Sequence, residues 1–466
     1  MKIEFFGAAQ VVTGSKHLIT TQGGTRILLD CGLFQGSDQD SNYMNRHFGF
    51  SPSSIHYVIL SHAHIDHSGL LPRLVAEGFT GKIFCTPATK SLCEIMLLDS
   101  AHIQENDVKY VNQRRKKRGE ELLEPLYDEK DVQRTMALMH TVRLHTDFTI
   151  NNEVRFHYTD AGHILGSTAV HLTVKEGERD IKLSFTGDIG RPGDIILRSP
   201  EKFRQADYII SESTYGDKLH DPIGNTQRRL MEVVQHTCVE KGGKLIIPAF
   251  SVDRTQELIY QLDQLSSTGK LPQIKVFVDS PLSVKATMVM KEHEECFNPD
   301  ILAYIEKDGD AFGFPNLHYI SKVEDSKKIN DLKEPCIIIS SSGMAEAGRI
   351  KHHIANSILN PKNTILIVGY CTPTSLGGAL KRGDKEVRIF GEQYPVKAEV
   401  ETMEAFSAHA DYKEIQEFLS CQDPKKVRKV FLVHGDLEAQ ESLKEKLIVQ
   451  GFKNVEIPEM GEEFEV

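Results

Sequence analysis

The chain has 466 residues, of which 40% are hydrophobic and 26% are charged, and its formal net charge is −11. This length exceeds one ordinary hydrophobic core, so we expect two or three domains, and the composition excludes a long disordered tract. No run approaches the roughly 18 apolar residues that cross a bilayer, and the acidic balance disfavours a generic nucleic-acid binder while leaving room for a local basic cleft or bound metal ions.

Residues 1–210 are dominated by short β patterns bounded by turn residues, beginning with MKIEFFGA and continuing through RILLDCG, YVILSHAH, VRFHYTDAGH and IKLSFTGD. The first of these lacks the pattern of a secretory signal, so we expect a cytoplasmic protein. Helical patterns follow Asp66 and occur around 88–107 and near 129–139. Mostly β structure with occasional helices favours a sandwich of sheets. The basic run RRKKR at 114–118 is interpreted as a solvated loop.

From about residue 211 the pattern changes to apolar strands such as KLIIPAF, KVFVDSP, PCIIISSSG and TILIVGY. They alternate with helical stretches at 226–240, 253–266, 281–292 and 348–359. This alternation indicates a parallel sheet covered on both faces. Near 392 the β pattern returns, and a helix is predicted at 437–449. We therefore predict a first domain of residues 1–210 that resumes at 392–466, with residues 211–391 as an inserted domain.

Eight cysteines are scattered along the chain without a C-x-x-C pair, which favours reduced thiols over a disulfide framework or a thiolate metal site. A different metal-ligand pattern occurs in LSHAHIDHSGLLPRL, residues 60–74. His62 and His64 are two residues apart and would project to one side of an extended segment, while Asp66 and His67 can face a second point nearby. Imidazole and carboxylate suit zinc and, less selectively, iron or manganese. A polar turn at a strand end is the alternative.

Four further strand ends carry a ligand-type residue, namely Asp30, His163, Asp188 and His434. Any one of them by itself is most simply a structural polar residue. Their recurrence at the ends of apolar strands favours a shared metal site over a set of unrelated turns.

Together these motifs resemble the metallo-β-lactamase superfamily, with H-x-H-x-D-H, an upstream Asp, a downstream His and the Asp of TGD. The segments SEST, FSAHAD, VHGD, VDSPLSVKAT and SSSGMAEAGR resemble its β-CASP branch, the nucleases of RNA processing and DNA repair. The resemblance covers nearly the whole chain. It implies an α/β (α+β) fold, in which a metallo-β-lactamase αββα sandwich carries an inserted α/β β-CASP cap domain, as in the compact bacterial members related to the cleavage and polyadenylation endonuclease.

The resemblance also implies roles for single residues. One zinc ion would be held by His62, His64 and His163, and a second by Asp66, His67 and His434, with Asp188 bridging them and Asp30 orienting the histidine loop through hydrogen bonds. Catalytic roles fall to Asp66, Glu212 and His409. We expect His409 to act as general acid and Glu212 to orient it.

Phosphate binding must come from elsewhere in an acidic chain. ISSSGMAEAGR at 339–349 runs from a strand end toward a helix, and Ser341, Ser342 and Gly343 offer hydroxyl and backbone N–H groups to an anion. An ordinary capped helix start is the alternative. Weaker candidates for substrate contact are Arg254, Lys351, His352 and Lys381.

The leading hypothesis is a zinc-dependent ribonuclease acting on single-stranded RNA, with endonucleolytic and 5′-exonucleolytic modes both open. Histidine at position 434 favours RNA, because DNA-repair members of the family tend to carry valine there. The alternatives are a β-CASP DNA nuclease, a small-molecule thioester or lactone hydrolase, and a non-catalytic RNA-binding scaffold. Family likeness also leaves a homodimer open.

Overall fold

The computed structural model describes residues 1–36, 39–220, 223–403 and 407–466. The chain divides into two compact units. The first comprises Met1–Pro192, Arg198–Leu219 and Ala408–Val466, and the second comprises Gly193–Leu197 and His220–Ser407. The predicted domain limits at 211 and 391 stay a prediction.

The first unit contains most of the β structure that the sequence indicates. Its strands up to residue 219 are β1 Lys2–Gly7, β2 Lys16–Thr20, β3 Arg26–Leu29, β4 Tyr57–Ile59, β5 Lys82–Cys85, β6 Met139–Thr141, β7 Phe148–Thr149, β8 Val154–Asp160, β9 Thr168–Glu176, β10 Arg179–Phe185 and β11 Tyr208–Glu212. Its helices in this part are α1 Gln39–Arg46, α2 Ile65–Ser68, α3 Leu71–Ala76, α4 Pro87–Arg118 and α5 Glu129–Leu138.

The second unit alternates strands and helices. Its strands are β12 Leu245–Pro248, β13 Lys275–Val278, β14 Leu317–Tyr319, β15 Cys336–Ser340, β16 Thr364–Val368, β17 Glu386–Ile389, β18 Glu392–Pro395 and β19 Glu399–Met403. Its helices are α6 Thr226–Val234, which continues as a π-helical turn at Gln235–Glu240, α7 Arg254–Ser267, α8 Pro281–Glu292, α9 Pro299–Asp308, α10 Val323–Asp331, α11 Ile350–Ser357 and α12 Leu376–Lys381. The chain then returns to the first unit with α13 Tyr412–Leu419, β20 Lys429–Val433, α14 Leu437–Gln450, β21 Val455–Glu456 and β22 Glu463–Glu465.

Two seven-stranded sheets form the first unit, with strand orders β22-β1-β2-β3-β4-β5-β6 and β21-β20-β11-β10-β9-β8-β7. Their inner faces share one buried cluster that includes Phe5, Leu29, Phe156 and Phe431. The outer face of the second sheet packs on α13 and α14, for example through Leu443, and α4 contacts β6 of the first sheet. This arrangement confirms the predicted sandwich of sheets between helices.

The main sheet of the second unit has the order β14-β13-β15-β12-β16-β19, and all of its pairings are parallel, as the near-continuous apolar strands indicate. β17 and β18 form a separate antiparallel hairpin. Among the helices of the described residues, none combines the length and apolar character that a membrane crossing requires.

The interpretation of the basic run at 114–118 as a loop is wrong, because this run forms the last turn of α4. Gly119 ends the helix in the left-handed conformation at φ 69°, and cations in a last helical turn interact favourably with the helix dipole. The sequence pattern indicates only the part of this helix near residues 88–107, because the C-terminal part is largely exposed and carries little apolar periodicity.

Candidate metal centre and active site

Strand ends bring the predicted site residues together in the first unit. Strands β10, β11 and β20 are parallel neighbours; Asp188 follows β10, Glu212 ends β11 and His434 follows β20. In the facing sheet, β3 and β4 are also parallel, with Asp30 after β3 and the histidine loop at 60–67 after β4. Parallel strands present their carboxyl ends at one sheet edge, so residues far apart in sequence meet there, where functional loops commonly lie.

The first group of donor atoms comes from three histidines and one aspartate. His64 Nδ1 lies 3.2 Å from His62 Nε2 and 3.1 Å from His163 Nε2. Asp188 Oδ2 lies 3.4 Å from His62 Nε2 and 3.5 Å from His163 Nε2. These four donor atoms lie within 4.8 Å of one another, which is close enough to surround one cation.

The second group is formed by Asp66, His67 and His434, and again its donor atoms lie within 4.8 Å of one another. His434 Nε2 is 3.5 Å from Asp66 Oδ2. His67 Nε2 is 3.3 Å from Asp188 Oδ1, the carboxylate oxygen that does not face the first group. The two oxygens of Asp188 therefore face the two groups separately.

Three buried atoms of this centre make no hydrogen bond of acceptable geometry among the described residues: His67 Nε2, His434 Nε2 and Asp188 Oδ1. The first and the last of these lie 3.3 Å apart but are not aligned as donor and acceptor. A buried polar atom without a partner is unfavourable, and native structures contain few of them. A divalent cation would satisfy all three, because neutral imidazole nitrogen and carboxylate oxygen are ligands of zinc and similar metals. The residues present thus fit bound metal.

The Nδ1 atoms of His67 and His62, on the side of each ring away from the donor groups, face a hydrogen-bond network around Asp30. His67 Nδ1 lies 2.6 Å from Asp30 Oδ2. The Ser61 hydroxyl donates to the same oxygen at 2.8 Å, which leaves its own oxygen to accept from His62 Nδ1 at 3.0 Å. Asp30 also accepts the Ser61 backbone N–H at 2.7 Å. Both rings are held with Nδ1 as donor, so their Nε2 lone pairs remain for a metal.

His163 and His434 are held in the same way. His163 Nδ1 donates to the Ala408 carbonyl at 3.1 Å. The Thr214 hydroxyl donates to the His434 carbonyl at 3.0 Å and accepts from His434 Nδ1 at 2.9 Å. Ser61 and Thr214 support these rings, but their sequence positions alone do not reveal that role. Ser61 directly precedes His62, and Thr214 lies two positions after Glu212.

The electrostatics of the centre keep several rings neutral. Burial, with the charges of neighbouring histidines, holds the pKa values of His62 and His163 well below the ordinary range, and burial lowers the pKa of His64 to about 4. Burial also opposes a charge on His67, but Asp188 and Asp30 raise its pKa well above the usual value. Despite burial, nearby histidines lower the pKa of Asp188. A proton on His67 therefore competes with metal.

Beside the two groups of donor atoms, Glu212 and His409 form a hydrogen-bonded pair. His409 Nδ1 lies 3.2 Å and 3.3 Å from the two carboxylate oxygens of Glu212. Glu212 is fully buried and accepts the Ile189 backbone N–H at 2.5 Å, which fixes the carboxylate. Burial disfavours a charged His409 ring, but Glu212 and then Asp188 raise its pKa to about 9. A fixed, protonated imidazole next to the donor groups can supply a proton.

Phe406, which opens the FSAHAD motif, lies outside the described residues.

The predicted phosphate loop belongs to the second unit. Ser341 Oγ donates to Ser280 Oγ at 2.8 Å, and Ser342 Oγ lies 3.3 Å from the Ala347 backbone N–H. A Cβ at Gly343 would lie 2.7 Å from the Phe250 ring, so a larger residue there would require this exposed ring to shift. The loop is thus tightly built, as an ordinary capped turn would also be.

The weaker substrate candidates also belong to the second unit. Arg254 is buried and forms an ion pair with Glu257. Lys351 and His352 lie in the first turn of α11, where His352 is exposed, and Lys381 ends α12. A buried, paired guanidinium is poorly placed for a phosphate, whereas the α11 side chains are accessible.

Three segments of the chain match known family models. Residues 13–235 match the metallo-beta-lactamase superfamily, residues 255–380 match the Beta-Casp domain, and residues 393–458 match the Zn-dependent metallo-hydrolase RNA specificity domain. Individual proteins are also similar to this chain over nearly its whole length. A ribonuclease of Thermus thermophilus is 32% identical over 462 residues, which is 99% of this chain and 99% of the relative.

Two further relatives are each 30% identical. The transcription termination factor FttA of Methanosarcina mazei aligns with 94% of this chain and 67% of its own length. A cleavage and polyadenylation specificity factor of Drosophila melanogaster aligns with 95% of this chain and 61% of its own length. Among solved structures, a protein of unknown function from Enterococcus faecalis superposes with a TM-score of 0.54 at 11% identity, and the match covers 99% of each chain. At this level of identity the similarity is evidence for the fold alone.

Proposed function

We propose that the chain, which belongs to the β-CASP branch of the metallo-β-lactamase superfamily, hydrolyses phosphodiester bonds of single-stranded RNA at a centre of two zinc ions. The observation that carries this proposal is the Asp188 carboxylate, whose two oxygens face two separate groups of metal-type donors. A closed structural zinc site would need only one such group.

His62, His64 and His163 would hold one ion, and Asp66, His67 and His434 the other, with Asp188 shared between them. Manganese or iron would fit the same donors less selectively. When bound, two such ions supply a water of lowered pKa and neutralise charge on the phosphate oxygens. The residues of this chain supply the rest: Asp30, Ser61 and Thr214 keep the rings in the ligating tautomer.

His409 would hold the proton that the departing oxygen needs, and Glu212 would keep that proton on the ring and fix its direction. Hydrogen bonds of 3.2–3.3 Å between the two residues and the raised pKa of His409 support this assignment. In the second unit, the loop containing Ser341, Ser342 and Gly343 is proposed to contact the RNA backbone.

RNA is favoured over DNA as the polymer. His434 is present, residues 393–458 match a domain named for RNA specificity, and the full-length relative from Thermus thermophilus is named a ribonuclease. Cytoplasmic location and homodimer formation stay predictions of the sequence.

The test is cleavage of matched 5′-labelled single-stranded RNA and DNA by zinc-loaded protein. Asp66→Ala serves as the inactive variant and Asp107→Ala, an exposed aspartate on α4, as the matched control. We expect RNA fragments with the parent and with Asp107→Ala, and none with Asp66→Ala. Internal fragments would indicate endonuclease action, and mononucleotides 5′-exonuclease action. DNA cut as readily as RNA would contradict the RNA assignment, and no cleavage of either polymer would contradict the proposal.

A further inference from the structure

An exposed phenylalanine occupies the turn of the β17–β18 hairpin. Ile389 pairs with Glu392, so Phe390 and Gly391 form a two-residue turn. Both have positive φ, 53° for Phe390 and 90° for Gly391. A turn with two positive φ values favours Asn, Asp or Gly at its first position, and a bulky residue there is a conformational outlier.

The side chain of Phe390 is also unfavourably hydrated, because it is 55% exposed. Other residues anchor the hairpin to the second unit: Val387 and Ile389 belong to its buried cluster, with Tyr394 packed against them. Phe390 is absent from that cluster, so its ring adds nothing to the buried core. A residue that violates two local preferences without contributing to the core indicates a functional constraint.

The neighbours of the Phe390 ring are cationic or aromatic. The His352 ring lies 4.5 Å away, centroid to centroid, with 32° between the planes. Lys351 Nζ lies 5.3 Å from the Phe390 centroid. The Arg388 guanidinium donates to the Gly391 carbonyl at 3.1 Å, which holds a further positive charge at the turn. Glu392 also lies at the turn, where its carboxylate accepts from the Tyr394 hydroxyl at 3.2 Å.

We propose that Phe390, with His352 and Lys351, forms a stacking site for a base of single-stranded RNA, with Lys351 and Arg388 facing the flanking phosphates. Exposed aromatic rings beside cations are how proteins bind single strands without sequence preference, since every base has a π face and every linkage carries a negative charge. The identity of the polymer rests on the proposed function. The site itself lies wholly within the second unit and includes no metal ligand.

The decisive variant is Phe390→Asn. Asparagine suits the left-handed turn position, so the hairpin is expected to keep its stability while the ring is lost. Phe390→Trp keeps a larger ring and is the rescue variant. Tyr43→Ala is the matched control, because Tyr43 is another exposed aromatic, 60% accessible, whose ring lies 4.1 Å from that of His47 in the first unit.

The readout is the Kd for a fluorescent single-stranded RNA of mixed sequence, measured with full-length, zinc-loaded protein that carries His409→Ala to slow cleavage, because His409 is not among the proposed metal ligands. Phe390→Asn is expected to raise the Kd about tenfold, within the range known for base stacking, while Phe390→Trp and Tyr43→Ala leave it within about twofold. Lys351→Gln should weaken binding less and flatten its dependence on salt.

An unchanged Kd for Phe390→Asn would overturn the stacking site, and so would a Trp variant that binds as weakly as the Asn variant. Absence of RNA binding by the parent would overturn it as well. The two proposals fail separately. A parent that cleaves RNA while Phe390→Asn binds normally refutes only the stacking site, and loss of binding in Phe390→Asn in a protein that cleaves nothing refutes only the proposed activity.

Discussion

The metal centre of the first unit and the Phe390 group of the second unit both collect polar and aromatic side chains, but they are built in opposite ways. At the metal centre four histidine rings are buried, and their Nδ1 atoms are fixed by Asp30, Ser61, Thr214 or a backbone carbonyl: His67, His62, His434 and His163. Around Phe390 the side chains are accessible, and their contacts are stacking and charge. Bond hydrolysis requires fixed geometry, whereas binding a polymer of varying sequence tolerates adaptable contacts.

This contrast predicts that substitutions in the first unit change metal content and kcat, whereas those in the second change KM or Kd. The largest effect is expected for Asp188→Asn. A neutral amide replaces the carboxylate shared by both donor groups, so metal content should fall below two per chain and kcat by about 1000-fold or more. Elemental analysis with cleavage kinetics checks this. Two bound metals with near-parental kcat would contradict the assignment of Asp188 as a ligand shared by both ions.

His409→Ala should have the next largest effect. Loss of a general acid typically costs about 100-fold to 10,000-fold in kcat, while zinc content should stay at the parental value because His409 is not among the proposed ligands. Steady-state cleavage at saturating RNA measures kcat, and metal analysis of the same sample is the control. A variant that loses zinc instead of rate would make His409 a ligand.

The pH profile sharpens the role of Glu212. His409 must be protonated to donate, so kcat should fall as pH rises through its pKa, which the neighbouring carboxylates raise to about 9 in the metal-free centre. Glu212→Gln removes a negative charge that favours the protonated ring, so its alkaline limb should move to lower pH. Rates measured from pH 6 to pH 10 test this. An alkaline limb that stays in place, or moves upward, contradicts the pairing.

Thr214→Val should weaken zinc binding without removing a group that takes part in the reaction. It removes the hydroxyl that accepts from His434 Nδ1, and loss of such a supporting contact typically weakens metal binding about 10-fold to 100-fold. Competition with a chromophoric chelator measures zinc affinity, and Thr214→Ser should restore it. Unchanged affinity in the Val variant would show that the ring needs no such support.

The smallest effect is expected for Ser342→Ala in the second unit. If its hydroxyl contacts an RNA phosphate, KM should rise about threefold, the size of one hydrogen bond, with zinc content and kcat unchanged. Steady-state cleavage over a range of RNA concentrations measures both constants. A fall in kcat without a change in KM would place Ser342 with the catalytic residues. It would contradict the assignment of catalysis to the first unit and substrate binding to the second.

The sequence indicates which donor residues could meet, because each of them follows an apolar strand and strand ends are readable from composition, but their roles as metal ligands stay a prediction. It does not reveal Thr214 as the partner of His434, because the two are 220 positions apart and meet only through the pairing of β11 with β20. Helix α4 extends beyond its apolar pattern, since its last turns are stabilised by capping and by the helix dipole. Phe390 gives no signal, because the segment IFGEQ lacks the Asn-Gly or Asp-Gly pair that marks such a turn.

If the proposed function is correct, hydrolysis needs two metal ions, one at each donor group facing Asp188. The direct measurement is cleavage rate against added zinc, starting from metal-stripped protein at a concentration well above its zinc Kd. We expect little activity at one equivalent per chain and a plateau at two, with His64→Ala and His67→Ala each failing to reach that plateau. Full activity at one equivalent, or activity without metal, would contradict it.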